Sequence, residues 1–252
     1  MDQANPARRR VFFEAHSGLP REGPGNRAST ARALALMGAL PKAPLIVDVA
    51  CGPGAQTLDL AALVPDARIV AIDGHPPFLD DLRRRADAAG IAQRIDVHRC
   101  DMRALPVASA SADILWCEGA AYIIGVPEAL RLWPPLLKPG GRIALTEAVW
   151  LTAEPPAVVR KQWEAYPAMT DVAGCRAIIA RAGLKLLGDF LLPESAWWDD
   201  YYGPLEARVA ALAQQYRGDD AAQAALAGIS DEIEIYRSYS HCFGYQFFVM
   251  ST

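Results

Sequence analysis

The feature that most constrains the fold is a short apolar segment that ends in two closely spaced glycines. Residues 45–51 are mostly aliphatic and β-branched, Gly52 and Gly54 follow directly, and a helical apolar pattern begins at Leu58. This order predicts a strand, a tight turn and the start of a helix. Glycine is required where the backbone is left-handed or where a ligand approaches the main chain. The turn is therefore predicted to hold a small molecule against a helix N-terminus.

Strand and helix patterns alternate from this turn to Trp150. The apolar periodicity predicts helices at about 55–63, 77–89 and 127–137. Such alternation favours a parallel sheet with helices on both faces, whose ligands bind beyond the carboxyl ends of the strands. The predicted strands are Leu45 to Cys51, Arg68 to Ile72, Ile95 to Arg99, Ala112 to Cys117 and Arg142 to Trp150.

The N-terminal part of the chain departs from this alternation. Chain breakers crowd residues 17–25, so residues 1–28 are interpreted as an arm or lid, and a helix is expected to begin near Ser29. The core that binds a cofactor is assigned to residues 29–150. The whole of 1–252 is interpreted as a single domain, because its length suits one large α/β unit.

The C-terminal half, residues 151–252, is rich in aromatic side chains. Fifteen of the 21 aromatic residues lie at or after Trp150. Strands are expected near 184–192 and 242–250, and irregular helices over 197–229. This asymmetry predicts an apolar substrate pocket or a helical lid in this half, since aromatic side chains supply large apolar surfaces.

Composition excludes several classes of protein. The formal net charge is −4 and the one dense basic run is 8–10, which argues against a nucleic-acid partner. No apolar stretch reaches the roughly 18 residues that cross a bilayer. The five cysteines lack disulfide or zinc spacing, so those at 51, 100 and 117 are interpreted as small apolar residues and no metal is expected. These features predict a cytoplasmic protein.

Acidic residues fall at or near the ends of the first four predicted strands. Asp48 lies inside the first strand, whereas Asp73, Asp101 and Glu118 follow the second, third and fourth. A carboxylate about 20 residues after a glycine turn can accept hydrogen bonds from a ribose diol. Asp101 is suited to accept a hydrogen bond from the amino group of adenine. Together with the turn, these acids indicate a ligand that contains a nucleoside.

A dinucleotide site is the principal competing interpretation. Its G-x-G-x-x-G pattern requires a small third residue, but Thr57 stands there after Gly52 and Gly54. An acid inside the first strand, Asp48, is also unusual for a dinucleotide fold. Both observations disfavour, without excluding, an NAD(P)-dependent oxidoreductase.

Four motifs resemble those of class I S-adenosylmethionine-dependent methyltransferases. They are Val47–Gly54, Ile72–Asp73, Cys100–Met102 with Leu105–Pro106, and Leu137–Gly141. The resemblance is closest to the small-molecule branch that includes ubiquinone/menaquinone-type C-methyltransferases, and it covers residues 45–150 well. Short segments at 17–21, 116–120 and 197–202 resemble sequences of a bacterial subgroup of that branch. The resemblance implies a Rossmann-like fold with a seven-stranded, mostly parallel sheet and an antiparallel last strand.

The resemblance also implies a methyl donor, S-adenosylmethionine, a product, S-adenosylhomocysteine, and a set of residues that bind them. Asp73 is expected to bind the ribose, and Asp101 and Met102 the adenine. Ala50 is a departure, because many members have glycine there. The implied cofactor-binding residues are Asp48, Ala50, Gly52, Gly54, Gln56, Thr57, Asp73, Gly74, Asp101, Met102, Glu118 and Gly119.

The acceptor side of the reaction is less well specified by the sequence. The sulfonium methyl is already activated, so a base is needed only if the acceptor loses a proton. Glu118 is the first candidate base, followed by Glu147 and His16, and Arg21 is a candidate partner for the cofactor carboxylate. The predicted acceptor-binding residues are Tyr122, Trp150, Tyr166, Trp197 and Tyr202.

Three questions remain open at the level of sequence. The expected partner is a small, partly apolar metabolite, but neither its identity nor the atom that is methylated is specified. A non-catalytic protein that binds S-adenosylmethionine fits the same motifs. A homodimer is one of the assemblies left open.

Overall fold

One mixed sheet of eight strands runs through the fold. The computed structural model describes the backbone of residues 6–252 and the side chains of residues 9–252. The strands are β1 (Leu45–Val49), β2 (Arg68–Asp73), β3 (Ile95–Arg99), β4 (Ala112–Cys117), β5 (Leu137–Trp150), β6 (Thr170–Asp171), β7 (Lys185–Leu191) and β8 (Phe243–Ser251). Their order in the sheet is β3-β2-β1-β4-β5-β8-β7, with β6 paired to β5. Among the described strands, β8 alone runs opposite to the common direction of the others.

This topology confirms the predicted Rossmann-like methyltransferase sheet. Seven of the strands are those expected from the sequence, and the two-residue β6 is the addition. Sequence periodicity cannot indicate so short a strand. Both faces of the sheet are covered, so strands such as β4 consist entirely of buried residues.

Helices cover both faces and the carboxyl edge of the sheet. They are α1 (Pro6–His16), α2 (Arg27–Leu36), α3 (Ala55–Leu63), α4 (Pro76–Ala88), α5 (Val126–Leu132), α6 (Ala157–Gln162), α7 (Val172–Arg181), α8 (Ser195–Trp197), α9 (Gly203–Gln215) and α10 (Asp220–Tyr239). A π-helical turn, Trp198–Tyr202, joins α8 to α9. Among the described helices, none has both the length and the apolar character needed to cross a bilayer.

Helix α1 is the main element that the sequence does not indicate, because residues 1–28 are predicted only as an arm or lid. Three consecutive arginines obscure its apolar periodicity. Its buried apolar residues, Val11 and Ala15, pack in one cluster with residues of α9 and α10, including Val209 and Ile233. Packing between distant parts of the chain therefore stabilises this helix, rather than local propensity.

Three predicted boundaries require correction. The helix predicted at 127–137 ends at Leu132, because two prolines follow and lack the backbone N–H that would continue the helix. Strand β5 begins at Leu137 rather than at Arg142, and the turn between them is a bulge in its pairing with β4. Helix α2 likewise begins two residues before Ser29, because the side chain of Asn26 caps it by accepting the N–H of Ser29.

Besides the two apolar clusters that flank the sheet, a third lies at the carboxyl edge of the parallel strands. It joins α1, α9 and α10 to residues at the ends of β5 and β8, such as Ala148 and Phe243. The helical layer is thus built from both ends of the described chain, and it covers the edge at which ligands of parallel sheets bind.

Candidate functional site

The glycine turn after β1 adopts the backbone that its sequence requires. Gly52 and Gly54 have φ values of +54° and +92°, and Ala50 is also left-handed at +56°. A Cβ on Gly54 would overlap the Leu82 side chain of α4, so the glycine allows α3 and α4 to pack closely. The left-handed backbone explains why glycine suits position 50, since alanine there costs about 1–2 kcal/mol.

The side chain of Asp48 stabilises the turn through hydrogen bonds. It is fully buried, and its carboxylate accepts hydrogen bonds from Thr57 Oγ1 at 2.5 Å and Gln56 Nε2 at 3.4 Å. Gln56 also donates to the Cys51 carbonyl at 3.2 Å. Burial raises the pKa of Asp48 to about 7, although the Thr57 hydrogen bond partly opposes that change. These contacts assign Asp48, Gln56 and Thr57 to holding the turn in shape.

Asp73 lies at the end of β2, beside the same turn. Its Oδ2 accepts the N–H of Gly52 at 2.9 Å, and its Oδ1 accepts the N–H of His75 at 2.8 Å. Burial raises its pKa, and these backbone hydrogen bonds oppose the rise. Each carboxylate oxygen keeps a further lone pair, so Asp73 can still accept hydrogen bonds from a diol.

A cleft of about 580 Å³ opens between the ends of β1, β2 and β3. A Cβ on Gly74 would meet nothing within 4 Å, so the cleft reaches the main chain there. The exposed carboxylate of Asp101 accepts the N–H of Arg103 at 2.8 Å. The volume suits a nucleoside-sized ligand. The cleft is lined by Ala50, Ile72, Asp73, Gly74, Arg99, Cys100, Asp101, Met102, Arg103 and Ile123.

Glu118, the first candidate base, is held by three side chains. Arg21 Nη1 donates to its Oε2 at 2.8 Å, and Trp116 Nε1 and Thr30 Oγ1 donate to its Oε1 at 2.8 and 3.4 Å. Arg21 also contacts Asp59 at 3.3 Å. Glu118 and Arg21 therefore connect the N-terminal segment to the end of β4, and Arg21 is already paired at the edge of the site.

Gly119, the next residue, brings another strand into the site. Its N–H donates to Thr146 Oγ1 at 2.7 Å, which fixes the segment after β4 against β5. A Cβ at this position would lie 3.5 Å from the ring of Tyr245 on β8. The segment after β4 thus packs directly against an aromatic side chain of the antiparallel strand.

His16 and Glu22 lie next to the glycine turn. His16 Nδ1 is 2.9 Å from Glu22 Oε2, although the angle is not that of a well-formed hydrogen bond, and its ring stacks on Phe12 at 4.1 Å. Glu22 Cγ is 3.4 Å from the position of a Cβ on Gly52. Burial raises the pKa of Glu22. The sequence did not indicate Glu22, because nothing in the local pattern shows that residues 17–25 fold over the turn.

Glu147 is buried near the end of β5 without a well-formed hydrogen bond. It is 3% exposed, and neither carboxylate oxygen has a hydrogen-bond partner of normal geometry among the described residues. Burial raises its pKa to about 7, and the nearby Tyr166 hydroxyl opposes the rise only in part. A buried, unpartnered carboxylate is costly, which makes it a candidate for a role in binding or proton transfer.

The predicted acceptor-binding aromatics separate into two groups. The rings of Tyr122 and Tyr166 lie 5.4 Å apart beside Glu147, and Tyr122 is 44% exposed. Trp197 is buried and stacks on Tyr236 at 4.0 Å, a placement that favours a packing role. The two remaining predicted residues are Trp150, which pairs with Phe243 at the end of β5, and Tyr202, whose hydroxyl donates to Glu232 at 3.1 Å.

Glu232 and Tyr245 also belong to this region, and neither is among the site residues predicted from the sequence. Burial raises the pKa of both side chains. A signal for Glu232 exists in the sequence, because Ile229 and Tyr236 are spaced around it on one helical face. Tyr245 carries no such signal, since its role depends on where β8 enters the sheet.

The cysteines do not form a metal site in the part of the chain that the structure describes. No group of three or more His, Cys, Asp or Glu residues there has a geometry suited to a metal ion. Cys51 and Cys117 are buried, and burial raises the pKa of both thiols. Both are packed within the two apolar clusters that flank the sheet.

The sheet order and the site together are typical of one class of protein. The cleft lies beside β1, where the strand order reverses between β2 and β4, which is the ligand site of doubly wound sheets. The glycine turn, the acid after β2 and the antiparallel β8 are those expected for class I S-adenosylmethionine-dependent methyltransferases. In fold and in sequence motifs the chain resembles this class.

Comparison with known proteins agrees with this assignment. Residues 46–141 match a family described as "Methyltransferase domain". The ubiquinone/menaquinone biosynthesis C-methyltransferase UbiE of Cereibacter sphaeroides is 35% identical over 103 residues, which are 40% of this chain and 41% of that protein. The trans-aconitate 2-methyltransferase of Methylobacterium radiotolerans is 29% identical over 66% of this chain and 58% of that protein. The matched regions thus span about half the length of these relatives.

A solved structure extends the similarity to nearly the whole fold. An S-adenosylmethionine-dependent methyltransferase from Geobacter sulfurreducens, in complex with S-adenosyl-L-homocysteine, superposes with a TM-score of 0.82. It covers 96% of this chain and 97% of its own, at 22% identity. At that identity the likeness establishes the shared fold, including the helical layer over the carboxyl edge.

Proposed function

We propose that the protein transfers the methyl group of S-adenosylmethionine to a small, partly apolar acceptor. The observation that carries this proposal is the cleft of about 580 Å³ at the ends of β1, β2 and β3, which Asp73 and Asp101 line beside the reversal of strand order. The trans-aconitate enzyme, UbiE and the Geobacter protein are named as methyltransferases, which supports the same activity here.

The residues of the cleft fit the proposed cofactor. Asp73 has free lone pairs for the two ribose hydroxyls, and Met102 and Ile72 offer apolar surface to a flat base. Asp101 is exposed at the same wall, where its carboxylate can accept from an amino group. At Gly52 a ligand could approach the main chain, because only the side chain of Glu22 lies against it. Glu22 is therefore proposed to move when the methionine portion binds.

When bound, the cofactor supplies a methyl group that its sulfonium already activates. The chain must then orient the acceptor and exclude water. The helical layer over the carboxyl edge provides the exclusion, because α1, α9 and α10 share one apolar cluster there. Arg21 and Glu118 fasten the N-terminal segment beneath this layer.

Among the candidate bases, the contacts favour Glu147 over Glu118. Glu118 accepts hydrogen bonds from Arg21, Trp116 and Thr30, so both of its carboxylate oxygens already have donors. Glu147 has no such partners and a pKa of about 7, which suits proton transfer near neutral pH. We assign Glu118 to positioning and retain His16 as a second candidate through its contact with Glu22.

Calorimetry and an activity screen test the proposed function. Titration with S-adenosylhomocysteine, S-adenosylmethionine and NAD⁺ is expected to show binding of the first two only. Release of S-adenosylhomocysteine with a panel of amines, phenols and carbon acids should then identify an acceptor. Binding of NAD⁺ without S-adenosylhomocysteine would contradict the proposal. Cofactor binding without turnover of any acceptor would indicate a non-catalytic binding protein instead.

Two further predictions concern the assembly and the cellular location of the protein. The sequence left a homodimer open, and sedimentation of the purified protein tests it. A cytoplasmic location was expected from composition, and fractionation of cells that produce the protein tests that. Neither prediction affects the assignment of the cleft.

A further inference from the structure

A group of polar side chains lies deep in the molecule while remaining partly exposed. Tyr166, Glu232 and Tyr245 keep part of their surface accessible, yet burial raises the pKa of all three. The ring centroids of Tyr122 and Tyr166 lie 5.4 Å apart, and the charge of Glu147 raises the pKa of both tyrosines and of Tyr245, so these four side chains are neighbours. We call the region that they border the acceptor chamber.

The wall of the acceptor chamber contains a carboxylate without a well-formed hydrogen bond. Both oxygens of Glu147 are buried, and neither has a hydrogen-bond partner of normal geometry among the described residues, although the nearby Tyr166 hydroxyl partly lowers its pKa. Leaving a buried carboxylate without donors costs free energy that a protein normally avoids. A ligand with N–H donors would supply the missing hydrogen bonds. Tyr122 and Tyr166 stand beside this carboxylate with ring centroids 5.4 Å apart and an interplanar angle of 58°.

The charges around the acceptor chamber are predominantly negative. Glu147 and Glu232 lie in its wall, and Glu22 also interacts with Tyr201 and faces His16. Neither Glu147 nor Glu232 forms a salt bridge with an arginine or lysine among the described residues. Arg21 pairs with Glu118 and Asp59. Arg85 donates to two backbone carbonyls of residues 19 and 20. An anionic acceptor would therefore meet two carboxylates without a cationic partner, whereas a cationic acceptor would be attracted by them.

From this arrangement we infer that the acceptor is an amine, held as its ammonium form between the Glu147 carboxylate and the rings of Tyr122 and Tyr166. Tyrosine faces attract cations, and a carboxylate supplies charge-assisted hydrogen bonds. The apolar surroundings of the tyrosines suit an amine on an apolar body. This inference rests on the proposed function, because it names the substrate class of that same site.

The reaction that follows is balanced in atoms and charge. The ammonium first gives one proton to the Glu147 carboxylate, which leaves the nitrogen lone pair free. That lone pair forms the N–CH₃ bond while the S–CH₃ bond breaks, and the electron pair of the broken bond stays on sulfur. The product is a methylated ammonium and a neutral thioether, with the first proton on Glu147.

Matched ligand pairs test this inference without requiring turnover. The protein is saturated with S-adenosylhomocysteine, whose thioether is neutral, and titrated at pH 7.5 with benzylamine, phenethylamine and tryptamine. Each amine is compared with the alcohol of the same skeleton. The amine is expected to bind at least about tenfold more tightly, as one charge-assisted hydrogen bond would give. In Glu147→Gln the preference should fall below about threefold.

Controls make each outcome informative. Glu164→Gln changes an exposed glutamate and should keep the full preference. Tyr122→Leu alters a partly exposed position and should weaken the amine more than the alcohol, which covers the case in which Glu147→Gln does not fold. Equal binding of amine and alcohol, binding of neither, or an unchanged preference in both variants overturns the inference. Failure to bind S-adenosylhomocysteine contradicts the proposed function itself.

Discussion

The guanidinium of Arg21 lies 2.8 Å from the carboxylate of Glu118, and both side chains are at least 95% buried. Arg21 comes from the segment before α2, whereas Glu118 follows β4. The pair therefore ties the N-terminal segment to the edge of the sheet at which the cofactor is proposed to bind. The same arginine reaches Asp59 on α3, so one cation serves two carboxylates.

Replacing Arg21 is expected to destabilise the fold strongly. Arg21→Met leaves Glu118 and Asp59 without their cation, and loss of one partner of a buried pair costs about 3–5 kcal/mol. Urea denaturation followed by tryptophan fluorescence measures the change in the free energy of unfolding. Arg68→Met, at an exposed position on β2, is the control and should change it by less than about 0.5 kcal/mol. Equal losses in both variants would argue against the role of the ion pair.

The cofactor affinity is expected to depend on Asp73. Asp73→Asn keeps one acceptor oxygen but removes the charge that faces the proposed ribose. The loss should be about 1–3 kcal/mol in binding S-adenosylhomocysteine, as for a charge-assisted hydrogen bond. Isothermal titration calorimetry gives this difference directly. Asp80→Asn alters an exposed acid on α4, and its affinity should match that of the wild type. An undiminished affinity in Asp73→Asn would count against the site.

Two glycines should respond in opposite ways to alanine. Gly54→Ala places a Cβ against Leu82 at a φ of +92°, so it should destabilise the protein by more than about 1 kcal/mol. Gly228→Ala lies in the exposed interior of α10, where a Cβ would meet nothing within 4 Å. It should stabilise the protein by about 0.5–1 kcal/mol, because alanine favours helix. Thermal unfolding of both variants checks the contrast, and the same sign in both would refute it.

The pH dependence of stability should reveal Asp48. Its pKa is about 7 in the folded protein and near 3.8 when unfolded. The folded state therefore holds the proton more tightly between these values, and this group's contribution to stability is lost as the pH rises from about 4 to about 7. Asp48→Asn can still accept from Thr57 and never ionises. At pH 8 it should raise stability by about 1–2 kcal/mol over the wild type, with little gain at pH 4.5.

The rate of methyl transfer should follow the ionisation of Glu147. With a pKa of about 7, this carboxyl is protonated at lower pH and cannot accept the acceptor's proton. The rate should fall about tenfold for each pH unit below that value. In Glu147→Gln the step near pH 7 should disappear, and in Glu164→Gln it should persist. A profile with the same step in Glu147→Gln would exclude this residue as the base.

Much of the core was predictable because its signals are local. The strand that ends at Asp73 and the turn at Gly52 are encoded by short apolar runs, glycines and spacing. The sequence could name Glu147 as a candidate base. That its carboxylate lacks a well-formed hydrogen bond depends on where the fold places Tyr166 and the segment after β4. Glu232 and Tyr245 come from elements far along the chain, and only the assembled fold brings them beside Tyr122. The acceptor-binding part of the site therefore depends on tertiary structure, which local sequence patterns do not reveal.

The position of β8 has a consequence for how the molecule is assembled. This strand follows all the others in the chain, yet it lies between β5 and β7. The sheet is therefore incomplete until residues 243–251 have been synthesised, and β5 meanwhile presents an unpaired apolar edge. Such an edge is a template for pairing with other chains. The nascent protein must consequently protect β5 for longer than the strands on the other side of the sheet, which can pair as they emerge.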